Sequence, residues 1–439
     1  MDSVSENRPN PYEFIMHTWG CKVNTYDTGL LQNRLKSAGS EMSAPRVHVL
    51  NTCAVTEEAS REAARAVRKI KAREPLAKIV VTGCGAQVDG GIFDALPGAD
   101  LVVANSHKGQ IEELVDRLFK GTLEEKVFRS NIFRKDDLEE GGGLEADHTR
   151  AFLKIQDGCN SFCTYCVIPF ARGKSRSIPI ARIVARLNEL MAAGAREVVL
   201  TGVHIGDYED GEKRLEDLVE TVLKATSIPR IRLSSLEPVE LTDRLLALFE
   251  NSRLCPHFHM SIQSASTPTL ERMRRQYTAQ DVESALLKIK DTLPNAFVGM
   301  DVIVGFPGET DEEFQETYER LARLPWTRIH VFPYSERPGT KALKLEGSVR
   351  QEERVRRAQF LRSLSTSRFE QAGRALVGET LKVMGLRGGR GLSDNYWPVE
   401  FESELSAGQF SKFKVTGFCK PTNGRMDGWL KGHVVDVPC

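Results

Sequence analysis

Residues 157–177 read DGCNSFCTYCVIPFARGKSRS and place three cysteines, Cys159, Cys163 and Cys166, within eight positions. Structural zinc takes four protein ligands, usually as two paired half-sites. The next cysteine along the chain is Cys255, alone in the segment LCPHFHMS, so a zinc ribbon fits the pattern poorly. The pattern favours a metal site at which the protein leaves one ligand position open, and soft thiolates select iron–sulfur clusters for such sites. Zinc and plain buried packing remain the alternatives.

The bulk composition limits the class of protein. Nine cysteines are an odd number, and the start of the chain, MDSVSENRPNPYEF, has no basic-then-apolar signal segment. We therefore expect reduced cysteines and a cytoplasmic protein rather than a disulfide framework. No apolar run approaches the roughly 18 residues of a membrane span. Lys+Arg and Asp+Glu both number 60, so any surface that binds RNA must be local.

The first hundred residues repeat one theme. EFIMHTWGC, RVHVLNTC and KIVVTGC are apolar runs that end at Cys21, Cys53 and Cys84, and helix-like segments follow the first two. Alternating strands and helices predict a parallel sheet. The carboxyl ends of parallel strands lie on one edge, where ligands bind, so the three thiols should converge there. This predicts a second iron–sulfur cluster; the alternative is that small buried cysteines end these strands by chance.

The middle of the chain predicts a partial barrel. Six candidate strands lie between Ala151 and Pro333, namely AFLKIQD, EVVLTG, RIRLSS, HFHMSI, FVGMDVIVG and RIHVFPY, with helical stretches between them. A full eight-stranded barrel takes about 250 residues, so six strands fit this length better. Function in barrels lies beyond the carboxyl ends of the strands.

At those ends the sequence places a set of polar residues and glycines. The glycines suggest a ligand that approaches the backbone closely, although a turn is the simpler explanation for any one of them. The set comprises Gly202, His204, Ser235, Glu237, Gln263, Ser264, Gly305, Gly308, Glu309, Tyr334, Arg337 and Gly339.

From Glu379 onward the pattern changes to short alternating strands separated by glycines, which predicts a small antiparallel barrel. Tyr396 and Trp397 could bind RNA together with Lys412 and Lys414, or could form the core of the barrel. Residues 65–73 and the helix-like stretch RQEERVRRAQFLRSLSTSRFEQAGR are locally basic.

The predicted fold class is thus α/β, with an amino-terminal parallel-sheet domain, a central (β/α)6 partial barrel and a small antiparallel β-barrel. The predicted boundaries are 10–125 for the first domain, 126–148 for a linker, 149–372 for the central domain and 373–439 for the terminal barrel.

Several of these motifs together resemble a known family. C-x3-C-x2-C followed by IPFARGKSRS resembles the signature of radical S-adenosylmethionine (SAM) enzymes. GCKVN, NTCAVT and GCGAQ resemble the cysteine motifs of methylthiotransferases, as do RLSSLEP, SIQSAS, MRRQYT, DVIVGFPGET and YSERPGTKA. The terminal barrel resembles a TRAM domain, and NTCAVTEEASREAA resembles the MtaB branch. The resemblance covers nearly the whole chain.

This resemblance implies a function. Cys159, Cys163 and Cys166 would hold a [4Fe–4S] cluster that binds SAM, and Cys21, Cys53 and Cys84 a second cluster that supplies sulfur. The substrate would be N6-threonylcarbamoyladenosine at position 37 of tRNA, methylthiolated at carbon 2 after hydrogen abstraction by a 5′-deoxyadenosyl radical. A second SAM would provide the methyl group.

The resemblance also implies ligand contacts and partners. Tyr165 would lie near the SAM adenine, Gly202 near the methionine end, Ser235 and Glu237 near the polar groups, and the strand ending at Gly305 beside the adenine. The expected partners are the tRNA anticodon stem-loop and a low-potential electron donor of the flavodoxin or ferredoxin type, with no membrane association. Nothing in the sequence indicates an obligate dimer, so we expect a monomer.

Three alternatives remain open at this point. The same chemistry could act on isopentenyladenosine in tRNA or on an aspartate of a ribosomal protein. A non-catalytic iron–sulfur protein that binds RNA and senses redox state would also carry these motifs, and a structural zinc protein is the third.

Overall fold

In the computed structural model, which describes residues 12–35, 45–138, 142, 149–402, 405–420 and 428–435, the amino-terminal part forms a five-stranded sheet. Its order is β1-β2-β3-β4-β5, and every neighbouring pair is parallel. The strands are β1 (Glu13–Thr18), β2 (Arg46–Thr52), β3 (Lys78–Gly83), β4 (Leu101–Ala104) and β5 (Val127–Phe128). The helices are α1 (Lys22–Arg34), α2 (Glu57–Arg73), α3 (Cys84–Val88), α4 (Gly90–Phe93) and α5 (Ile111–Lys120).

Helix α2 shows why these segments fold as they do. The Thr56 side chain accepts a hydrogen bond from the amide of Ala59, and acidic residues in the first turn with basic residues in the last complement the helix dipole. Its small apolar residues, Ala63 and Val67, are fully buried in the core on one face of the sheet. Helices α1 and α5 contribute to a second apolar core with the remaining strand residues.

The central part forms two sheets that together make six parallel strand positions. The first has the order β10-β9-β6 and the second β11-β12-β13-β14. The strands of these sheets are β6 (Arg150–Lys154), β9 (Glu197–Thr201), β10 (Arg230–Leu233), β11 (Ser235–Leu236), β12 (His257–Gln263), β13 (Phe297–Val304) and β14 (Arg328–Pro333). Strands β7 (Gln156–Asp157) and β8 (Arg176–Ser177) form a separate antiparallel hairpin. Because β10 and β11 follow one another directly and pair with opposite neighbours, they join the two sheets. The predicted (β/α)6 partial barrel is confirmed.

The helices of the central part lie between these strands and after the last of them. They are α6 (Ile168–Arg172), α7 (Ile180–Ala192), α8 (Leu215–Ala225), α9 (Asp243–Ala247), α10 (Thr267–Met273), α11 (Ala279–Thr292), α12 (Asp311–Arg323) and α13 (Gln351–Ala375). Helix α13 contacts β14 through Ser365, whose hydroxyl accepts from the amide of Ile329 at 2.9 Å. Its residue Phe369 belongs to the core of the terminal barrel.

The terminal barrel is closed in the order β15-β16-β17-β19-β18. Its strands are β15 (Thr380–Leu386), β16 (Arg390–Ser393), β17 (Pro398–Phe401), β18 (Phe410–Cys419) and β19 (Trp429–Val434). The barrel is antiparallel as predicted, except that β17 and β19 pair in parallel. Such a pair needs a crossing connection, which strand alternation in the sequence does not reveal.

Two aromatic residues considered for RNA binding pack against other aromatic rings. Trp397 is 3% exposed and stacks on Phe369. Tyr396 stacks on His257 of β12, with 3.9 Å between ring centroids. In so small a barrel these large rings are needed to fill the core and its contact with the central part. Of the two alternatives that the sequence leaves open, the structure therefore favours the core for Trp397, while the half-buried Tyr396 packs at the contact with the central part.

The range 126–148, predicted as a linker, contains structured residues. Strand β5 pairs with β4 there, and a 3₁₀ turn spans Ile132–Arg134. Residues 139–141 and 143–148 lie outside the described residues. The domain boundaries remain predictions, and the one at 372 falls within α13. Within the described residues, no helix combines the length and apolar character that crossing a membrane requires.

Candidate metal and cofactor site

The three cysteines of the amino-terminal part meet at the carboxyl edge of the first sheet. Cys21 directly precedes α1, Cys53 directly follows β2, and Cys84 is the first residue of α3. Because β1, β2 and β3 are neighbours, their carboxyl ends lie side by side. A Cβ atom on Gly20 would lie 2.9 Å from the Sγ of Cys53, so the turn before Cys21 touches that thiol. The structure brings this trio together.

Glycines hold the turns that place the trio. Gly20 and Gly83 precede Cys21 and Cys84, and their φ angles are +100° and +95°. At Gly83 a Cβ atom would lie 2.5 Å from the carbonyl oxygen of Thr52, which is backbone and cannot move aside. This backbone conformation is adopted almost only by glycine and costs other residues about 1–3 kcal/mol. Glycine is therefore required for the position of Cys84.

The surroundings of the first trio are buried, polar and cationic. Burial raises the pKa of the Cys53 thiol to about 12, and the neighbouring thiol of Cys84 adds to the rise. Burial also raises the pKa of Cys84, while the guanidinium of Arg172 opposes that rise. Asn105 donates from Nδ2 to the Sγ of Cys84 at 3.7 Å, and its buried Oδ1 has no hydrogen-bond partner among the described residues. The free thiols of Cys53 and Cys84 are therefore protonated, and a metal would have to displace their protons in order to bind.

The second trio lies in the loop that the hairpin of β7 and β8 closes. For both Cys159 and Cys166, the backbone amide two residues further along donates to the Sγ atom at 3.4 Å. Arg275, which follows α10, donates from Nη1 to the Sγ of Cys163 at 3.2 Å. Amides and a guanidinium directed at sulfur stabilise the thiolate form, which is the form that binds metals.

The thiols of this loop differ in their protonation. Burial raises the pKa of Cys166 to about 12, with the Cys163 thiol as the next cause. Burial also acts to raise the pKa of Cys159, but hydrogen bonds with His204 and Ser161 outweigh it, so that this pKa lies below its ordinary value. Cys159 is therefore the more readily ionised of these two thiols.

A charged network lies beside this loop at the ends of the barrel strands. Arg275 Nη2 is 2.6 Å from Glu237 Oε1, and His204 Nε2 is 2.5 Å from Glu240 Oε1 and 3.5 Å from Glu237. Burial acts to lower the pKa of His204, but hydrogen bonds with Asp207 and its other neighbours raise it well above the ordinary value. Burial raises the pKa of Glu237, against the effect of Arg275. The network fixes Glu237 next to the cysteine loop.

The two glycines predicted to mark a ligand make room for protein atoms instead. A Cβ atom on Gly202 would lie 2.8 Å from Oε1 of Gln156, and one on Gly305 would lie 2.3 Å from Cγ of Arg354 on α13. Gly305 also has φ +71°. Close approach of a ligand is therefore not needed to explain glycine at either position. That these residues contact SAM remains a prediction.

Two further predicted residues are Tyr165, which lies within the cysteine loop, and Ser235 of β11. Ser235 is half-buried at the start of β11. Tyr165 is half-buried, with its ring edge-on to Phe306 at 6.3 Å. Burial raises the pKa of Tyr165 well above its ordinary value, so its hydroxyl stays neutral. Their contacts with SAM also remain predictions.

A buried ionic cluster connects the two trios. Asp27 on α1 accepts from Arg172 at 2.9 Å, from Lys154 at 2.8 Å and from Lys108 at 3.1 Å. Asp157 accepts from Arg172 at 2.9 Å and from Lys154 at 3.0 Å. All five side chains, which we call the Asp27–Arg172 cluster, are buried. The cluster ties α1, which follows Cys21, to the loop that contains Cys159.

A second buried contact joins the end of the barrel to the first sheet. Arg337, which is 2% exposed, binds Asp89 through Nη2, at 2.6 Å from Oδ1. Asp89 accepts from the hydroxyl of Ser60 at 2.5 Å, and that hydroxyl lies 3.2 Å from the carbonyl oxygen of Cys53. The loop after β14 is thus held against the turn that contains Cys53.

The donor chemistry fits iron–sulfur clusters. Each trio offers sulfur ligands only, which is the donor type that iron–sulfur clusters use. Each also has a guanidinium beside it, Arg172 for the first and Arg275 for the second, which offsets the negative charge of thiolates. Three protein ligands leave one position of a four-iron cluster for a small molecule.

Sequence reasoning did not single out Asp27, Arg172 or Arg275, although Arg172 lies in IPFARGKSRS and Arg275 in MRRQYT. The available signal was Arg172 directly after the apolar stretch VIPFA, because a charge that is buried with such a stretch requires a partner.

The chain matches two known protein families and has sequence relatives over most of its length. Residues 153–321 match the Radical SAM superfamily, and residues 13–104 match the uncharacterized protein family UPF0004. The chain is 38% identical to threonylcarbamoyladenosine tRNA methylthiotransferase MtaB of Aquifex aeolicus over 91% of this chain and 98% of that protein. It is 35% identical to the protein of the same name from Bacillus subtilis, over 93% and 94% of the two chains.

A solved structure shares the fold. The structure of the radical SAM methyltransferase TsrM from Kitasatospora setae, with cobalamin and a [4Fe–4S] cluster bound, matches with a TM-score of 0.54 and 15% identity. The match covers 73% of this chain and 75% of TsrM. At this identity the likeness concerns the fold. From its sequence relatives, the chain belongs to the radical SAM methylthiotransferases, in the family of threonylcarbamoyladenosine tRNA methylthiotransferases MtaB.

Proposed function

We propose that this chain methylthiolates carbon 2 of N6-threonylcarbamoyladenosine at position 37 of tRNA. The structural observation that carries the proposal is the proximity of the two trios. Val167, next to Cys166, and Ala171 on α6 share a buried apolar cluster with Cys84 and Ala54. Cys84 of one trio thus packs against the helix that follows Cys166 of the other. Two metal sites this close can serve one substrate atom, whereas a sensor or a structural metal site has no need for this arrangement.

As a radical SAM methylthiotransferase, the chain uses SAM and two [4Fe–4S] clusters. We assign Cys159, Cys163 and Cys166 to the cluster that binds SAM, and Cys21, Cys53 and Cys84 to the auxiliary cluster. When bound, these groups supply the 5′-deoxyadenosyl radical, the sulfur atom and the methyl group of the reaction.

The residues of the chain bind and position these groups. Arg275 fixes Glu237 and donates to Cys163, so it orients the cysteine loop and offsets its negative charge. Glu237 and Ser235 would hold polar groups of SAM, with Gly202 and Gly305 on the neighbouring strand ends. Cys53, Cys84 and Cys163 are buried, which limits the access of water on the protein side of each trio and so protects a reactive radical from side reactions.

Local basic surfaces would hold the tRNA. On α2, Arg65 pairs with Glu58 and Lys71 with Asp100, so part of the positive charge is already compensated. Arg68, Lys69 and Arg73 are exposed on the same helix. Phosphate contacts release counterions, so tRNA affinity should fall steeply as salt increases despite the neutral net charge. A flat binding curve between low and moderate salt would contradict this part of the proposal.

The proposal includes the setting in which the enzyme works. Its electron would come from a low-potential flavodoxin or ferredoxin, and it would act as a monomer in the cytoplasm, where tRNA is modified. The anticodon loop is unpaired, so extruding its base should cost less than the few kcal/mol that a paired base requires.

Nucleoside mass spectrometry of tRNA tests the proposal. Deleting the gene should abolish the 2-methylthio derivative of N6-threonylcarbamoyladenosine and leave the unmodified precursor. The wild-type gene should restore the product, and a variant with Cys21, Cys53 and Cys84 replaced by alanine should not. Loss of the methylthio group from isopentenyladenosine or from a ribosomal aspartate instead would assign the chain to that other substrate.

A further inference from the structure

Three phenylalanine rings form an exposed patch on the cysteine loop. Phe162 lies between Cys159 and Cys163, Phe170 lies on α6, and Phe133 lies in the 3₁₀ turn that precedes Lys135. The ring centroids are 6.1 Å apart for Phe133 and Phe162, 5.9 Å for Phe133 and Phe170, and 6.1 Å for Phe162 and Phe170. Phe162 is 37% exposed and Phe170 is 43% exposed. A contiguous apolar group on a surface indicates an interaction site.

The backbone holds the central ring of this patch in an unfavourable conformation. Phe162 has φ +47°, in the left-handed region that bulky residues avoid. Such a conformation costs of order 1–3 kcal/mol and persists only where the surrounding structure imposes it. An exposed aromatic ring kept in place against strain needs a reason other than packing.

The rings of the patch and the thiols of the loop contact different parts of the structure. The thiols of Cys163 and Cys159 contact Arg275 and His204, which belong to the ends of the barrel. Phe162, between these cysteines, instead contacts Phe133, which follows the first sheet, and Phe170. A partner on this patch would reach the loop without entering the barrel.

The charge around the patch is positive on balance, because four cations outnumber the two exposed carboxylates Asp136 and Asp137. The four cations are Arg134, Lys135, Lys174 and Arg176. Residues 158–176 contain Arg172, Lys174 and Arg176 and no Asp or Glu. The side chain of Arg172 is paired within the buried Asp27–Arg172 cluster, whereas Lys174 is exposed. The guanidinium of Arg176 donates to backbone carbonyls, including that of Lys135 at 3.0 Å. Arg134, next to Phe133, is exposed as well.

We infer that the patch of Phe133, Phe162 and Phe170, with Lys174 and Arg134 at its edge, is the docking surface for the electron donor. The donor is a small acidic protein with a low-potential flavin or iron–sulfur centre. Its reduced centre loses one electron, and the cluster held by Cys159, Cys163 and Cys166 gains it; no bond is made or broken between the proteins. The inference rests on the proposed function, which requires such a donor.

The features of the patch match those of a transient redox interface. Such interfaces are small, below about 1,200 Å² in total, with an apolar centre, and opposite charges speed the encounter. Docking over the loop also keeps the path for the electron short, because Phe162 is adjacent to Cys163 in the chain. Stacked RNA bases can use exposed aromatic rings too. The separate contacts of the rings and the thiols favour the protein donor, and RNA is one of the outcomes that the experiment distinguishes.

The experiment uses the full-length protein with both clusters reconstituted and the variants Lys174→Glu, Phe170→Ser and their combination. The matched controls are Lys290→Glu and Leu287→Ser on the exposed face of α11. Formation of 5′-deoxyadenosine is measured with reduced flavodoxin and, separately, with dithionite. Dissociation constants for oxidised flavodoxin and for tRNA are measured in parallel.

We expect Lys174→Glu to lower the flavodoxin-dependent rate and affinity about ten-fold at low salt, because steering by complementary charge is worth ten-fold or more. The difference should shrink at high salt, and Phe170→Ser should lower the affinity at both salt concentrations. The dithionite-dependent rate, the tRNA affinity and the controls should not change.

Three results would overturn the inference. Unchanged flavodoxin kinetics would exclude the docking role, and an equal fall with dithionite would show damage to the cysteine loop instead. A fall in tRNA affinity with unchanged donor affinity would assign the patch to RNA. Because 5′-deoxyadenosine forms upstream of methylthiolation, failure to make the methylthio nucleoside would refute the proposed function and leave this test intact.

Discussion

Replacing Asp27 with asparagine removes one of the two carboxylates from the Asp27–Arg172 cluster at almost unchanged volume. The cluster contains three cations and two carboxylates, all buried, so its net charge is +1 in the native protein and becomes +2 in the variant. Leaving buried charges without their partner costs about 3–5 kcal/mol. Total stabilities are typically ~5–15 kcal/mol, so Asp27→Asn should lower the urea midpoint strongly.

A double-mutant cycle separates this charge effect from a packing effect. Lys154→Met alone takes the cluster to zero charge and leaves a carboxylate short of a partner, while the double variant returns it to +1. We therefore expect the double variant to be more stable than the sum of the single losses predicts, by about 1–3 kcal/mol. Circular dichroism during urea unfolding measures each variant. The exposed pair of Lys120 and Asp116 supplies the control, where Lys120→Met should leave the urea midpoint almost unchanged.

Strict additivity of Asp27→Asn and Lys154→Met would refute the reasoning. So would a loss for Asp27→Asn no larger than that of the exposed control, because the buried cluster would then contribute nothing beyond a surface pair.

Three other predictions concern the same region. Gly83→Ala should halve the iron content per chain without affecting the other cluster. The control is Gly91→Ala, which should bind iron normally because a Cβ atom there meets nothing within 4 Å. Equal iron content in both variants would contradict the role of Gly83. Cys53 and Cys166 have pKa values of about 12, so in cluster-free protein at pH 8 they should react with iodoacetamide roughly 10³-fold more slowly than an ordinary thiol. Peptide mass spectrometry can measure these rates. Rates that match the rate of Cys159 would contradict the raised pKa values. Burial acts to raise the pKa of Asp27, but Lys108, Lys154 and Arg172 hold this pKa well below its usual range. The stabilising effect of Asp27 is therefore complete above about pH 4 and is lost as the pH falls toward the folded-state pKa. Between pH 4 and 2, the free energy of unfolding should fall less steeply in Asp27→Asn than in the wild type.

Much of the architecture follows from local sequence pattern. Apolar runs that end at Cys21, Cys53 and Cys84 sufficed to predict parallel strands whose ends converge, because strand direction and sheet edge are linked in α/β folds. The six barrel strands between Ala151 and Pro333 were likewise visible from alternation and length. These features depend on the spacing of apolar residues along the chain, which can be read from a single sequence.

The contacts that hold the site together depend on residues far apart in the chain. Asp27 and Arg172 are 145 positions apart and Asp89 and Arg337 are 248 apart, so no local pattern links them. Glycine is needed at position 305 because Arg354, on a later helix, occupies the space that a side chain would need. The local sequence gives no sign of this distant contact. The aromatic residue Trp397 became core because the terminal barrel is too small to fill its interior otherwise.

The most direct test of the account is the iron and acid-labile sulfide content of protein reconstituted without oxygen, in the wild type and in a variant with Cys21, Cys53 and Cys84 replaced by alanine. Two four-iron clusters predict about eight iron and eight sulfide ions per wild-type chain and about four of each in the variant, which should still cleave SAM reductively. About four iron ions in the wild type, or about eight retained in the variant, would contradict the assignment of one cluster to each cysteine trio.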